Sequence, residues 1–118
     1  MEGVVNLMLE KLKCFEVSES VGSPGLYYVS PIHVNFNLIS TKGSFNVICA
    51  RLFNISYANY LRLCRDELDA IIVGKDSYYP VAYFKSKEAA QALVNLLNSR
   101  AYLVLWERAG ESEEEKKK

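Results

Sequence analysis

Histidine is nearly missing from these 118 residues, since His33 is the only one. A hydrolytic triad needs an imidazole held between an acid and a nucleophile, and neither stands in a fixed place beside His33. Cysteine is sparse as well: Cys14, Cys49 and Cys64 form no CxxC pair, so a zinc centre would have to be gathered from scattered ligands. Net charge is absent, with 14 Lys and Arg against 14 Asp and Glu. Bulk positive charge, the usual mark of a nucleic-acid binder, is therefore lacking. No apolar run approaches the roughly 20 residues of a membrane span. Glu2, Asn6 and Glu10 interrupt the first residues, so they do not read as a leader peptide. Together these absences predict an intracellular, cytoplasmic chain without membrane contact, metal or cofactor. The odd thiol count predicts reduced cysteines, with a Cys49–Cys64 bridge as the alternative pairing.

What is present is ordinary globular material. Half of the residues are hydrophobic and 24% are charged, which suits one packed domain and excludes disorder of the whole chain. We place that α+β domain at residues 1–106 and a charged, flexible tail, which includes "ESEEEKKK", at 107–118. The charges are unevenly spread. From Lys42 to Arg100 there are eight Lys and Arg against five Asp and Glu, while the flanking segments are mildly negative.

Hydrophobic periodicity supplies the elements. Val4, Val5, Met8, Leu12 and Phe15 recur at spacings of three and four, which predicts a helix over residues 2–15 with one apolar face, a candidate for homodimer contact. "SESVGSPG" reads as a loop, and Leu26–Val29 as a short strand after it. In Ile32–Leu38 the apolar residues alternate with His33, Asn35 and Asn37, which predicts a strand. Phe45, Ile48, Cys49, Leu52 and Phe53 then follow helical spacing behind Ser44 as N-cap. Asn54 tolerates the left-handed backbone that ends a helix, and Ser56 can cap the next, which buries Tyr57, Tyr60, Leu61, Cys64 and Leu68. Ala70–Phe84 reads as a β-hairpin, with Pro80 placing its strand at an edge or delaying its start. A helix over Ser86–Ser99 and a buried strand over Tyr102–Trp106 complete the chain.

Little here carries catalysis. Cys49 and Cys64 fall on apolar helix faces, as inert core thiols do. Asp66, Glu67 and Asp69 sit close in sequence but diverge around a helix, so they do not form a metal site. Gly74-Lys75 lies in a hairpin turn, not between a strand and a helix N-terminus where a phosphate loop works. The chain reads as a non-enzyme.

One resemblance is carried by "CARLFNISYANYLRL". Ala50 is small where two helices would cross, Asn54 stands where glycine is usual, Ile55 is apolar in the turn, and Ser56 starts the second helix. This is similar to the helix-turn-helix signature, and the order helix, helix, hairpin, helix over residues 44–99 resembles excisionase-type winged helix-turn-helix proteins. The resemblance implies an α+β fold with a winged core, to which an N-terminal helix and strands are added. It implies a DNA-binding regulator, such as a viral or mobile-element factor, with 56–68 as recognition helix and 70–84 as wing. Asn59, Arg62 and Arg65 would then face DNA from the helix, and Lys75, Ser77 and Tyr78 from the wing tip. As an ordinary solvated face, the same helix would instead pair Arg62 with Asp66 four residues on.

A second resemblance uses "YYPVAYFKSKEAAQALVNLLNS", which looks like the third strand and second helix of an RNA-recognition motif. With Ile32–Leu38 and Tyr102–Trp106 as first and last strands, it implies a ferredoxin-like β-α-β-β-α-β order. The partner would then be RNA or another protein.

Overall fold

A computed structural model of the chain describes residues 12–73 and 82–117, with side chains as far as Arg108. It begins with an antiparallel hairpin, β1 (Phe15–Glu19) against β2 (Tyr27–Pro31), in which Phe15 faces Pro31 and Glu19 faces Tyr27. Phe15 and Val29 turn inward, while the Ser18 and Ser30 hydroxyls meet at 2.7 Å on the sheet. Pro31 closes the hairpin, where its missing N–H costs no ladder bond. After it come α1 (His33–Phe36), α2 (Phe45–Leu52) and α3 (Tyr57–Arg62), the last widened into a π turn over Leu63–Glu67. Two short antiparallel strands, β3 (Ile71–Ile72) and β4 (Ala82–Tyr83), lead into α4 (Lys87–Lys117). The two sheets meet where Tyr27 and Phe84 exchange backbone hydrogen bonds of 2.8 and 2.7 Å and where the Tyr28 and Tyr83 rings pack edge-on at 6.1 Å.

The α+β class is thus present, among the described residues as two two-stranded antiparallel sheets and four helices. Several expectations are corrected. Ile32–Leu38 is not a strand: Val34 is 79% exposed, and the residues that go inward are Phe36 and Ile39, three apart as in a helical turn. The alternation was a coincidence of two periods. The break at Pro31, followed by Asn35 donating its amide to the Lys13 carbonyl, lets the segment coil. Nor is Tyr102–Trp106 a strand, because α4 runs through it. Ala90, Leu93, Val94, Leu97, Ala101 and Leu105 keep helical spacing on one buried face, and the Ser99 hydroxyl is accommodated within the helix by donating to the Asn95 carbonyl four residues back. With both outer strands gone, the ferredoxin-like order is absent from the described residues. The helical backbone carries on through 107–117, the stretch expected as a tail.

The predicted helix over residues 2–15 also gives way at its end, where Leu12–Cys14 are irregular and Phe15 is in β1. Its Val4, Val5 and Met8 lie outside the described residues. The reason for Phe15 is visible in its partners. Its ring packs on Phe36 at 5.7 Å and Phe45 at 5.9 Å, so it joins the hairpin to α1 and α2. A helical Phe15 could not also lend its backbone to α4.

That loan is made to Asn98, on the inner side of α4. Its Oδ1 accepts from the Cys14 and Phe15 amides at 2.9 and 3.0 Å, and its Nδ2 donates to the Phe15 carbonyl at 3.2 Å. One side chain therefore satisfies three backbone groups, at Cys14 and at the first residue of β1, in a half-buried place. Asn98→Ala should lower stability by about 2 kcal/mol, since it strands those groups away from water. Asn98→Asp should recover part of the loss by keeping the acceptor; equal urea midpoints for the alanine variant and the parent would refute the clamp.

Candidate nucleic-acid interface

The corner between α2 and α3 is built by backbone hydrogen bonds. The Ile55 amide reaches back to the Ala50 carbonyl at 3.2 Å and the Asn54 amide to Arg51 at 2.9 Å, a Schellman ending that requires a left-handed residue. Asn54 supplies it with φ 57°. Ala50, buried at the crossing, lets α3 approach closely, and Ile55 folds back over it. Asp69, at φ 55°, performs the same service at the far end, where the Ala70 amide returns to Cys64 at 2.9 Å. The chain thus turns at residues 53–56 and again at 69–70.

Capping differs at the two starts. Ser56 accepts from the Asn59 amide at 3.1 Å, as expected of it. Ser44 occupies the N-cap position of α2, but its hydroxyl makes no cap bond and is buried without a partner. Ser56→Ala should therefore cost about 1 kcal/mol, whereas Ser44→Ala should be neutral or stabilising. Parallel chemical denaturation of the two variants decides this; equal losses would contradict the geometry.

Inside the corner, Cys49 of α2 and Cys64 of the π turn lie about the buried Tyr60, whose hydroxyl interacts with both thiols. All three cysteines are free and buried, so the Cys49–Cys64 bridge is not formed. Burial pushes the Cys64 thiol up from 9.0 to about 11, against a smaller lowering by Tyr60. Cys49 and Tyr60 are raised too, mainly by burial. Because the folded state holds these protons more tightly than the unfolded chain, stability should be full below pH about 9 and decline as pH climbs toward 11. Urea unfolding at rising pH measures the slope, and Cys64→Ala should flatten it. An unchanged slope would show that this thiol is not held neutral by burial.

The outer side of the corner carries the residues singled out for DNA contact. Asn59, Arg62 and Arg65 are all exposed. Arg62 donates to Asn59 Oδ1 at 3.2 Å, so these two side chains stand together one helical turn apart. Arg62 does not pair with Asp66. That carboxylate is taken by Arg65 at 2.8 Å, an exposed ion pair in which the arginine's hydrogen bond holds Asp66 below its ordinary range. An open hollow of ≈ 540 Å³ lies alongside, bordered by Phe53, Ile55, Asn59, Arg62, Leu63, Asp66 and Glu67. Lys75, Ser77 and Tyr78, expected at a wing tip, lie outside the described residues, although β3 and β4 pair as the arms of their hairpin, Ile71 with Tyr83 and Ile72 with Ala82.

Arg51 was not anticipated. It is exposed on α2 and donates to Thr41 Oγ1 at 3.1 Å and to the Lys42 carbonyl, tying the loop before α2 to the helix. Its place one turn after Val47 and beyond the polar "TKGS" was the available signal. His33 is exposed at the start of α1, remote in sequence from the corner. Among the described residues no three His, Cys, Asp or Glu side chains converge as metal ligands, and no helix is long and apolar enough to cross a membrane.

No protein-family model, curated protein or solved structure matches this chain.

Proposed function

We propose that the chain is a non-catalytic DNA-binding protein of helix-turn-helix type, reading the major groove with α3. The observation that carries the reading is the Asn54 corner, which leaves Asn59 in the first turn of α3 and Arg62 at its last residue exposed and hydrogen-bonded to one another. In this mode of docking the early residues of the second helix meet base edges. Asparagine suits adenine and arginine suits guanine, each through two hydrogen bonds. The order helix, helix, strand pair, helix supports the winged form, with Lys75, Ser77 and Tyr78 as hairpin contacts.

Charge is arranged along α3 in the same sense. Asp66, Glu67 and Asp69 are confined to the C-terminal end, and Arg65 already neutralises Asp66. Carboxylates there repel phosphate and favour approach by the N-terminal end, where the helix dipole is positive. With Arg65 engaged, Arg62 is the stronger contact of the two.

A mixed-sequence duplex titrated at two salt concentrations tests the proposal. Affinity should fall with salt, and Arg62→Ala should weaken binding by about 1–3 kcal/mol, more than Arg65→Ala. Salt-independent or absent duplex binding overturns it, and preference for a single strand would move the reading to another nucleic acid.

A further inference from the structure

α4 is apolar on two sides. Ala90, Leu93, Val94, Leu97, Ala101 and Leu105 face the body of the protein and are buried. About 160° around the same helix, by the 100° step per residue, run Ala92, Leu96, Ser99, Leu103 and Trp106, all exposed. Leu96 is 49%, Leu103 48% and Trp106 36% exposed. Their spacing alternates four and three, the repeat by which one helix keeps a seam toward another. A helix that is apolar on two opposite faces is normally covered on each of them.

We propose that this outer seam is a homodimer interface, in which α4 packs antiparallel against α4 of a second copy. Charge selects the partner and the direction. Arg100 and Glu107 flank the seam on one edge, one heptad apart. In an antiparallel pair that edge meets itself, so Arg100 of each copy faces Glu107 of the other, twice by symmetry. In a parallel pair the same positions would face Asn95 and Tyr102, and no ion pair would form. The Arg100 guanidinium carbon lies 6.0 Å over the Phe53 ring, and among the described residues Arg100 has no carboxylate partner. The zero formal net charge of the chain removes long-range repulsion between copies.

This interface does not depend on the DNA reading, although two copies of the corner would suit a two-fold site. It also differs from the expected contact through Val4, Met8 and Leu12. The test is sedimentation equilibrium of the full chain without nucleic acid. The parent should be a concentration-dependent dimer, and Leu103→Asp should weaken it by about a hundredfold or more. Arg100→Glu should weaken it about tenfold, and adding Glu107→Arg should restore it. Because these residues are exposed, circular dichroism should show unchanged helix in each variant. A parent that stays monomeric overturns the proposal and leaves the seam to a different protein. A dimer indifferent to Leu103→Asp overturns it too, and failure of the charge swap to rescue overturns the antiparallel arrangement.

Discussion

The structure depends on the inner face of α4 and on the one polar group set into it. Leu93, Val94 and Leu97 seat the helix against the body, and Asn98 locks β1 onto it by answering three backbone groups at once. Hydrophobic contact is non-directional and would allow the hairpin to slide. The Asn98 amide, with one acceptor and one donor side, admits a single register. Phe15 then follows from that register into its cluster with Phe36 and Phe45, which are 5.5 Å apart at their centroids.

The helical corner is a second device within the same core. Its shape comes from the backbone bonds around Asn54, while its interior is tightened by Tyr60 between two protonated thiols. Left-handed residues end α3 as well as α2, so the unit is short and defined at each junction. The π turn at Leu63–Glu67 widens the helix where Arg65 and Asp66 pair on the outside. What faces solvent at the front is consequently an amide and a guanidinium, with the acids behind them.

Much of this corner was legible because its signals are local. An αL-tolerant Asn54, a capping Ser56 and i, i+3, i+4 apolar spacing on either side each act within one or two turns. The pairing arms of the 70–84 hairpin and the cap at Ser86, whose hydroxyl accepts from the Ala89 amide at 3.2 Å, are of the same kind. Two segments misled for a shared reason. "IHVNFNL" has period two and "YLVLW" is wholly apolar, but each is too short for period to separate strand from helix. In the first, Phe36 and Ile39 choose the inward face; in the second, Ala101 and Leu105 merely continue the face begun at Ala90.

The sequence by itself determined the α+β class, the turn at Asn54, the inward Cys49 and Cys64 and the exposure of Asn59, Arg62 and Arg65, because those follow from backbone tolerance, capping and amphipathic spacing within a few residues. Tertiary structure alone decided that Phe15 belongs to a strand, that Asn98 is a clamp, that Asp66 takes Arg65 instead of Arg62, and that α4 runs on with a second apolar face. Phe15 and Asn98 owe their roles to partners brought close only by folding, 83 or 84 residues away in the case of Asn98, where no periodicity reaches.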